Sequence, residues 1–203
     1  MKKQIIVFIS GNGSNMVSLA KASQQAEYPA EIAAVICDNS HAAGIQKARD
    51  NGLSIHIVDR KNYPTRETHE KAILTILEQY QPDLICLAGY MRLISAYFIN
   101  FYEGRILNIH PSLLPSFKGL NPHERVLQAG VKITGCTVHI VTEEMDAGKI
   151  IAQAAVPVCS NDTADSLAQR VLKAEHKLYP EAVKTFINKN NKITDFQQQL
   201  LSF

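Results

Sequence analysis

The 203-residue sequence has no long apolar run, no block of basic residues and only four cysteines. No stretch approaches the roughly 20 apolar residues that a membrane helix needs, so no membrane partner is expected. The net charge is only +2 and its charges are dispersed, which argues against nucleic acid as a partner. The run Ile5–Ile9 after Lys2 and Lys3 is too short for a signal peptide. A globular, cytoplasmic protein is therefore expected.

The cysteines also lack a pattern that would indicate a disulfide framework or a metal centre. They form no Cys-x-x-Cys pair, and each lies in or beside an apolar run. This placement predicts four buried, reduced thiols in a reducing compartment, at Cys37, Cys86, Cys136 and Cys159. The seven histidines show no zinc-binding spacing, so no metal is expected.

Short apolar runs alternate with helical patterns over the first half of the chain. Continuous apolar strands are typical of a sheet that is covered on both faces. The alternation predicts an α/β fold with a mostly parallel, doubly wound, Rossmann-like sheet and helices on both faces. The strands are predicted at Ile5–Ile9, Ile32–Cys37, Ser54–Val58, Leu84–Ala88 and Arg105–His110. The helices are predicted at Met16–Ser23, Ala42–Asp50, Thr65–Tyr80 and Ser95–Phe101.

The pattern changes in the C-terminal third. After a helix at His123–Ala129, strands are predicted at Ile133–Val141 and Lys149–Val158. Their short link permits antiparallel pairing and excludes a helical crossover, so an antiparallel addition to the sheet is expected. A long helix follows from Asp162 or Thr163 to about Asn188, and then a polar tail.

A glycine-containing loop, Ser10–Asn15, lies between the first strand and the first helix. Its Gly-x-Gly lacks the third glycine of the dinucleotide fingerprint, because that position is Met16. No Gly-Lys-Ser/Thr follows, which excludes a Walker A loop. The loop suits a single phosphate at a helix N-terminus, although an ordinary strand-to-helix turn also explains it. Asp38 is the only acid at the end of the second predicted strand that could take the ribose-binding role of this fingerprint.

Polar side chains end the fifth predicted strand. Asn108 and His110 are two residues apart and therefore share one face of the strand. The proline-rich stretch Pro111–Pro115 then forces the chain out of the strand. With the carboxylate of Asp146, these groups have the chemistry to move protons and hold an oxyanion. Taken singly, His110 also fits a structural histidine, Asn108 a strand-end cap and Asp146 a turn residue. His139 fits a core or surface histidine.

Four motifs occur together in one order. They are Ile-Ser-Gly-Asn-Gly-Ser-Asn at 9–15, Leu-Ala-Gly-Tyr-Met-Arg-Leu-Ile at 87–94, Asn-Ile-His-Pro-Ser-Leu-Leu-Pro at 108–115 and Gly-Cys-Thr-Val-His at 135–139. This set resembles the folate-dependent formyltransferases, and within them the branch that formylates glycinamide ribonucleotide in purine synthesis. The resemblance runs from Ile5 to about Pro180.

The resemblance implies a reaction and the residues that perform it. The formyl group of 10-formyltetrahydrofolate would pass to the amine of glycinamide ribonucleotide, with Asn108, His110 and Asp146 as catalytic residues. Asp146 beside His110 would favour the imidazolium. The ribonucleotide would bind at Gly13, Ser14, Asn15, Leu172, Lys173, Ala174 and Glu175, with Glu175 on its ribose hydroxyls. The folate would bind at Arg66, Met91, Arg92, Leu93, Ile94, Asn108, Thr142, Glu143, Glu144, Met145 and Asp146.

The resemblance also implies one formyltransferase domain over residues 1–203. It would comprise a phosphate-binding half (about 1–100), a catalytic and folate-binding half (about 101–188) and a tail (about 189–203), as a monomer or homodimer. Formyltetrahydrofolate deformylase and methionyl-tRNA formyltransferase share the three catalytic residues but normally carry a further domain. We expect no such domain in this sequence, which disfavours both alternatives. A non-catalytic nucleotide-binding module is the alternative from another class. Ala147-Gly148-Lys149 and Asn121-Pro122 depart from the usual family sequence.

Overall fold

The computed structural model describes residues 1–188 and 199–202, which fall into two compact units, Met1–Leu107 and Asn108–Phe203. The strands of the first unit are β1 (Lys3–Ile9), β2 (Ala30–Cys37), β3 (Ile55–Ile57) and β4 (Leu84–Leu87). Its helices are α1 (Ser14–Ser23), α2 (Gly44–Asp50), α3 (Arg66–Tyr80) and α4 (Ala96–Phe101), with a 3₁₀ turn at Arg60–Asn62. Strand β5 (Ile106–His110) begins in this unit and ends in the second.

The first unit is a parallel sheet in the order β3-β2-β1-β4, with β1 paired in parallel to both β2 and β4. Residues Ile5–Ile9 are almost wholly buried, as the continuous apolar run predicts for a sheet covered on both faces. The winding reverses at β1, because the first two crossovers run to one side and the third returns to the other. Such a reversal opens a crevice at the carboxyl ends of the strands.

The second unit continues from β5 through α5 (Pro122–Ala129), β6 (Ile133–Ile140), β7 (Ile150–Pro157), α6 (Ala164–Asn188) and β8 (Gln199–Ser202). Its strand order is β5-β6-β7-β8, with β6 and β7 antiparallel. Helix α6 packs on β6 and β7. It buries Leu167, Val171, Leu178 and Phe186, the spacing of one helical face.

The predicted fold class, a mostly parallel α/β sheet with an antiparallel C-terminal addition, is confirmed, and each predicted helix and strand is present within a few residues. Two elements escaped prediction: the 3₁₀ turn at Arg60–Asn62, and β8 within the predicted polar tail. β8 pairs in parallel with β7 through its backbone. Residues 189–198 and 203 of that tail lie outside the described residues.

The prediction of four buried cysteines is wrong at one position. Cys37, Cys86 and Cys136 are buried, but Cys159 is exposed, and all four are free thiols. Cys159 follows the end of β7, where the chain turns toward α6, and its N–H donates to Asp162 Oδ2 at 2.7 Å. The apolar run that suggested burial has already ended at that point.

No helix among the described residues is long and apolar enough to cross a membrane.

The backbones of Gly13 and Gly44 approach each other closely at the start of α1. A Cβ on Gly13 would lie 2.9 Å from the Cα of Gly44, and Gly13 has a φ of 73°. Gly52 has a similar φ of 69°, but a Cβ there would meet no heavy atom within 4 Å. Both glycines therefore have a left-handed backbone, but only at Gly13 would an added Cβ overlap with a neighbouring residue.

We expect Gly13→Ala to lower the free energy of unfolding by about 1–3 kcal/mol more than Gly52→Ala, because only the first forces overlapping backbones apart. The cost of the left-handed conformation, about 1–2 kcal/mol, is common to both variants. Urea unfolding of the two variants measures the difference. Equal losses would show that the close approach of Gly13 and Gly44 does not constrain the fold.

Candidate active site

The catalytic set predicted from the sequence lies in the second unit, where β5 supplies two of its members. Asn108 and His110 are separated by one residue of β5, and Ile109 between them is buried in the apolar core. His110 is itself only 6% exposed. The turn between β6 and β7 supplies the third member, Asp146, whose φ of 51° is in the left-handed region.

Asp146 brings the set together. One carboxylate oxygen, Oδ2, lies 3.4 Å from His110 Nδ1 and accepts the N–H of Gly119 at 2.9 Å. The other, Oδ1, lies 3.6 Å from His139 Nε2. Only 10% of the Asp146 side chain is exposed, so this charge has a largely protein environment. The structure therefore places the predicted His110 and Asp146 in direct electrostatic contact.

Both ring nitrogens of His110 face oxygen acceptors. Nδ1 faces the Asp146 carboxylate, and Nε2 lies 3.1 Å from the carbonyl oxygen of Phe117. A neutral imidazole carries one N–H, whereas the imidazolium carries two and can donate to both oxygens. The site thus holds this ring from two sides.

His139 joins the cluster, and sequence reasoning did not assign it there. Its Nδ1 donates to the carbonyl oxygen of Ile140 at 3.0 Å, which leaves Nε2 to accept from the amide of Asn108 at 3.2 Å. Burial lowers the pKa of His139, although the hydrogen bond to Ile140 and the charge of Asp146 act in the opposite direction. A neutral His139 accordingly orients the Asn108 amide, whose second N–H remains for another acceptor.

The loop after β5 closes on the same residues. Phe117 and Gly119 use their backbones to contact His110 and Asp146. Lys118 between them forms an ion pair with Glu144 in the β6–β7 turn, at 3.3 Å. Burial is also the main cause that lowers the pKa of His123 in α5, and the nearby charge of His110 adds to it.

The predicted phosphate loop of the first unit leads into α1. Gly13 precedes the helix in a left-handed conformation, and no side chain caps the first turn, which contains no acidic residue. Val17 donates its N–H to the carbonyl of Gly13, while Ser14 is half-buried and Asn15 is buried. An uncapped helix N-terminus with these residues suits an anion.

The predicted folate-binding residues of the first unit follow β4 and begin α3. Met91 donates its N–H to Ser10 Oγ at 2.8 Å, which ties this segment to the end of β1. Ser95, after the segment, donates its backbone N–H and its hydroxyl to the buried carboxylate of Glu70. Met91, Arg92 and Leu93 are exposed, Ile94 is half-buried, and Arg66 is exposed at the start of α3.

A cavity of about 270 Å³ adjoins this segment, and Ser10, Asp38, Asp59, Met91 and Arg92 are among its lining residues. Asp38, which is 1% exposed, accepts from Arg92 Nε at 2.8 Å. Asp38, the acid that follows β2, is therefore engaged with a predicted folate contact. The hydrogen bond from the Ser40 side chain is the main reason that the pKa of Asp59 lies well below its ordinary value.

The remaining predicted contacts lie in the second unit. Lys173 is exposed on α6, whereas Ala174 and Glu175 are buried and Leu172 is half-buried. The β6–β7 turn exposes Thr142, Glu143, Glu144 and Met145. Among the residues that the structure describes, no group of three or more His, Cys, Asp or Glu side chains is arranged to hold a metal ion.

The sequence profile of the formyl transferase family matches residues 3–183.

The chain belongs to the formyl transferase family.

The resemblance seen in the motifs is thereby confirmed. The chain is 46% identical over 183 residues to the trifunctional purine biosynthetic protein adenosine-3 of Gallus gallus. That alignment covers 90% of this chain but only 18% of the relative, so the chain spans less than a fifth of that protein's length. It is also 38% identical over 182 residues to the phosphoribosylglycinamide formyltransferase of Escherichia coli K12, covering 90% of this chain and 86% of that protein.

The crystal structure of phosphoribosylglycinamide formyltransferase from Brucella melitensis resembles the chain with a TM-score of 0.88 and 56% identity. The match covers 92% of this chain and 96% of that one. The fold of this formyltransferase is therefore shared over nearly the whole of both chains.

The lowered pKa of His139 predicts how stability depends on pH. The folded state resists protonation of this ring, whereas the unfolded chain protonates it near the ordinary value of 6.5. The unfolded state therefore binds more protons just below that pH, and stability falls as the pH is lowered from about 7.

We expect His139→Gln, which keeps an acceptor for Asn108 but cannot titrate, to weaken this fall in the free energy of unfolding between about pH 7 and 5. Urea unfolding at several pH values measures it, with the exposed His41→Gln as control. Because His123 shifts in the same direction, part of the fall remains. An identical slope in wild type and His139→Gln would contradict the assigned environment.

Proposed function

We propose that the chain transfers the formyl group of 10-formyltetrahydrofolate to the amine of glycinamide ribonucleotide, giving the formylated ribonucleotide and tetrahydrofolate. The observation that carries this proposal is the contact of His110, Asp146, His139 and Asn108 at the ends of β5 and β6. The family and the names of its relatives favour transfer to this ribonucleotide over transfer to water.

The chemistry needs charge stabilisation and a proton path rather than a metal. When the amine attacks the formyl carbon, negative charge develops on the formyl oxygen and positive charge on the attacking nitrogen. Asn108 directs its second amide N–H to that oxygen, because His139 holds the first. The positive charge of His110 stabilises the same oxygen.

The His110–Asp146 pair then handles the proton. The attacking nitrogen must lose a proton, and the departing folate nitrogen must gain one when the old carbon–nitrogen bond breaks. The carboxylate of Asp146 stabilises the imidazolium during this exchange, since the two groups are 3.4 Å apart. No side chain forms a covalent bond to the formyl group in this scheme.

Binding of the two substrates follows the predicted contacts. The phosphate of the ribonucleotide binds at Gly13, Ser14 and Asn15, where the uncapped start of α1 supplies backbone N–H groups. Lys173 and Glu175 contact the same substrate. The donor binds at the 91–94 segment, at Arg66 and at the 142–146 turn, which suits a flat, partly apolar ligand because Met91, Leu93 and Met145 are exposed. A single domain in the cytoplasm remains the expectation from the sequence.

We expect the purified protein to release tetrahydrofolate from 10-formyltetrahydrofolate only when glycinamide ribonucleotide is present. Spectrophotometric assay of tetrahydrofolate, with mass analysis of the formylated product, measures this. Equal release without the ribonucleotide would identify a deformylase and overturn the proposed transfer. Absence of release under both conditions would favour the non-catalytic binding module.

We expect His110→Ala and Asp146→Asn to lower kcat by about 10²–10⁴-fold, the usual contribution of a positioned acid–base group. Asp146→Asn keeps the size of the side chain and removes its charge, so it tests the ion pair with His110. His41→Gln, at an exposed position, is the matched control. Turnover close to that of the wild type in either variant would remove that residue from its assigned role.

A further inference from the structure

We propose that Gln153 on β7 is a positioning residue for His110, acting through Thr137 and the loop 111–119. This inference rests on the proposed function, because His110 is the proton-handling group there. Gln153 belongs to none of the four motifs that carry the family resemblance, and it does not contact His110 directly.

The first link is a saturated hydrogen-bond junction between β6, β7 and the loop. Gln153 Nε2 donates to the carbonyl oxygen of Leu114 and to Thr137 Oγ1, both at 2.9 Å. Thr137 Oγ1 donates to the carbonyl of Ser112 at 2.7 Å and accepts the N–H of Leu114 at 3.0 Å. A hydroxyl has one donor and two acceptor sites, so every site of the wholly buried Thr137 hydroxyl is occupied.

The second link runs from the junction to the imidazole. Ser112, which is also wholly buried, donates through Oγ to the carbonyl of Ser116 at 2.6 Å and lies 3.4 Å from the carbonyl of Phe117. The Phe117 carbonyl is the oxygen that faces His110 Nε2 at 3.1 Å. Leu114, which Gln153 anchors, is thus only three residues from Phe117, whose carbonyl contacts the catalytic ring.

The backbone at Phe117 shows why an anchor is needed. Its φ of 57° lies in the left-handed region, which a residue with a Cβ adopts at a cost. A loop in this conformation persists when the surrounding contacts determine it. Gln153 and Thr137 supply those contacts on one side, and the Gly119 N–H on Asp146 supplies another on the far side.

The consequence for His110 concerns the direction of its ring. Asp146 lies beside Nδ1 and the Phe117 carbonyl lies beside Nε2, so the two contacts together set the plane of the imidazole. Loss of the second contact leaves the ring free to turn about its terminal bond. Misplacement of a reacting group by about 1 Å can lower a rate by as much as 10²-fold.

Three variants test the proposal in the full chain. Gln153→Met has a similar length and no donor, Thr137→Val removes the hydroxyl, and Thr137→Ser retains it. We expect Gln153→Met and Thr137→Val to lower kcat by about 10-fold or more while KM for both substrates stays within about twofold. Thr137→Ser should keep kcat near that of the wild type, and Gln128→Met, exposed on α5, is the control.

A spectroscopic measurement on the free protein separates positioning from a purely structural role. Two-dimensional NMR of ¹⁵N-labelled protein observes the ring nitrogens of histidines, and His110→Gln assigns the signal of His110. We expect Gln153→Met to shift the Nε2 signal of His110 and to leave the signals of the exposed His41 unchanged. If Thr137→Val fails to fold, Gln153→Met still decides the question.

Unchanged kcat and an unchanged Nε2 signal in Gln153→Met, with only a lower melting temperature, would overturn the proposal. The NMR experiment needs no substrate, so it is independent of the proposed reaction. A wild-type protein that does not formylate the ribonucleotide would overturn the proposed function, while the Nε2 signal alone would still decide whether Gln153 positions the ring.

Discussion

A nearly buried carboxylate organises the second unit. Asp146 keeps its charge away from bulk water, and an ion in that position requires donors and opposite charge around it. The Gly119 N–H and the ring of His110 meet this requirement at Oδ2, and His139 faces Oδ1. The loop after β5 therefore folds against the β6–β7 turn, because the loop supplies a partner to the Asp146 side chain that the turn carries.

The cluster uses its two histidines differently, and the surroundings explain the difference. His110 has an acceptor at each nitrogen, whereas His139 has an acceptor at one nitrogen and a donor, the Asn108 amide, at the other. Burial also lowers the pKa of His139. One ring thus lies between two oxygen acceptors, and the other serves as a neutral support for an amide. This division of tasks suits a reaction in which an oxyanion and a mobile proton arise together.

Much of the arrangement was accessible from the sequence because it depends on local periodicity. The two-residue repeat of a strand put Asn108 and His110 on one face, and continuous apolar runs such as Ile5–Ile9 indicated a covered parallel sheet. His139 was not assigned to the site, since a single histidine in an apolar strand also fits a core position. A signal did exist: Thr137 and His139 are polar, two residues apart, and so share one face of β6. The β8 strand gave no such signal, because its four residues Gln-Leu-Leu-Ser are too few to show a period and pair with β7 through backbone groups.

The different settings of the cysteines have a practical consequence. Burial raises the pKa of Cys37 and of Cys136, and a protonated thiol is a poor nucleophile. Cys86 is buried as well, whereas Cys159 is open to solvent between β7 and α6. The folded protein therefore offers a single reactive thiol to a water-soluble maleimide. A fluorescent dye or spin label can be attached at a defined point of the native sequence without first replacing any other cysteine.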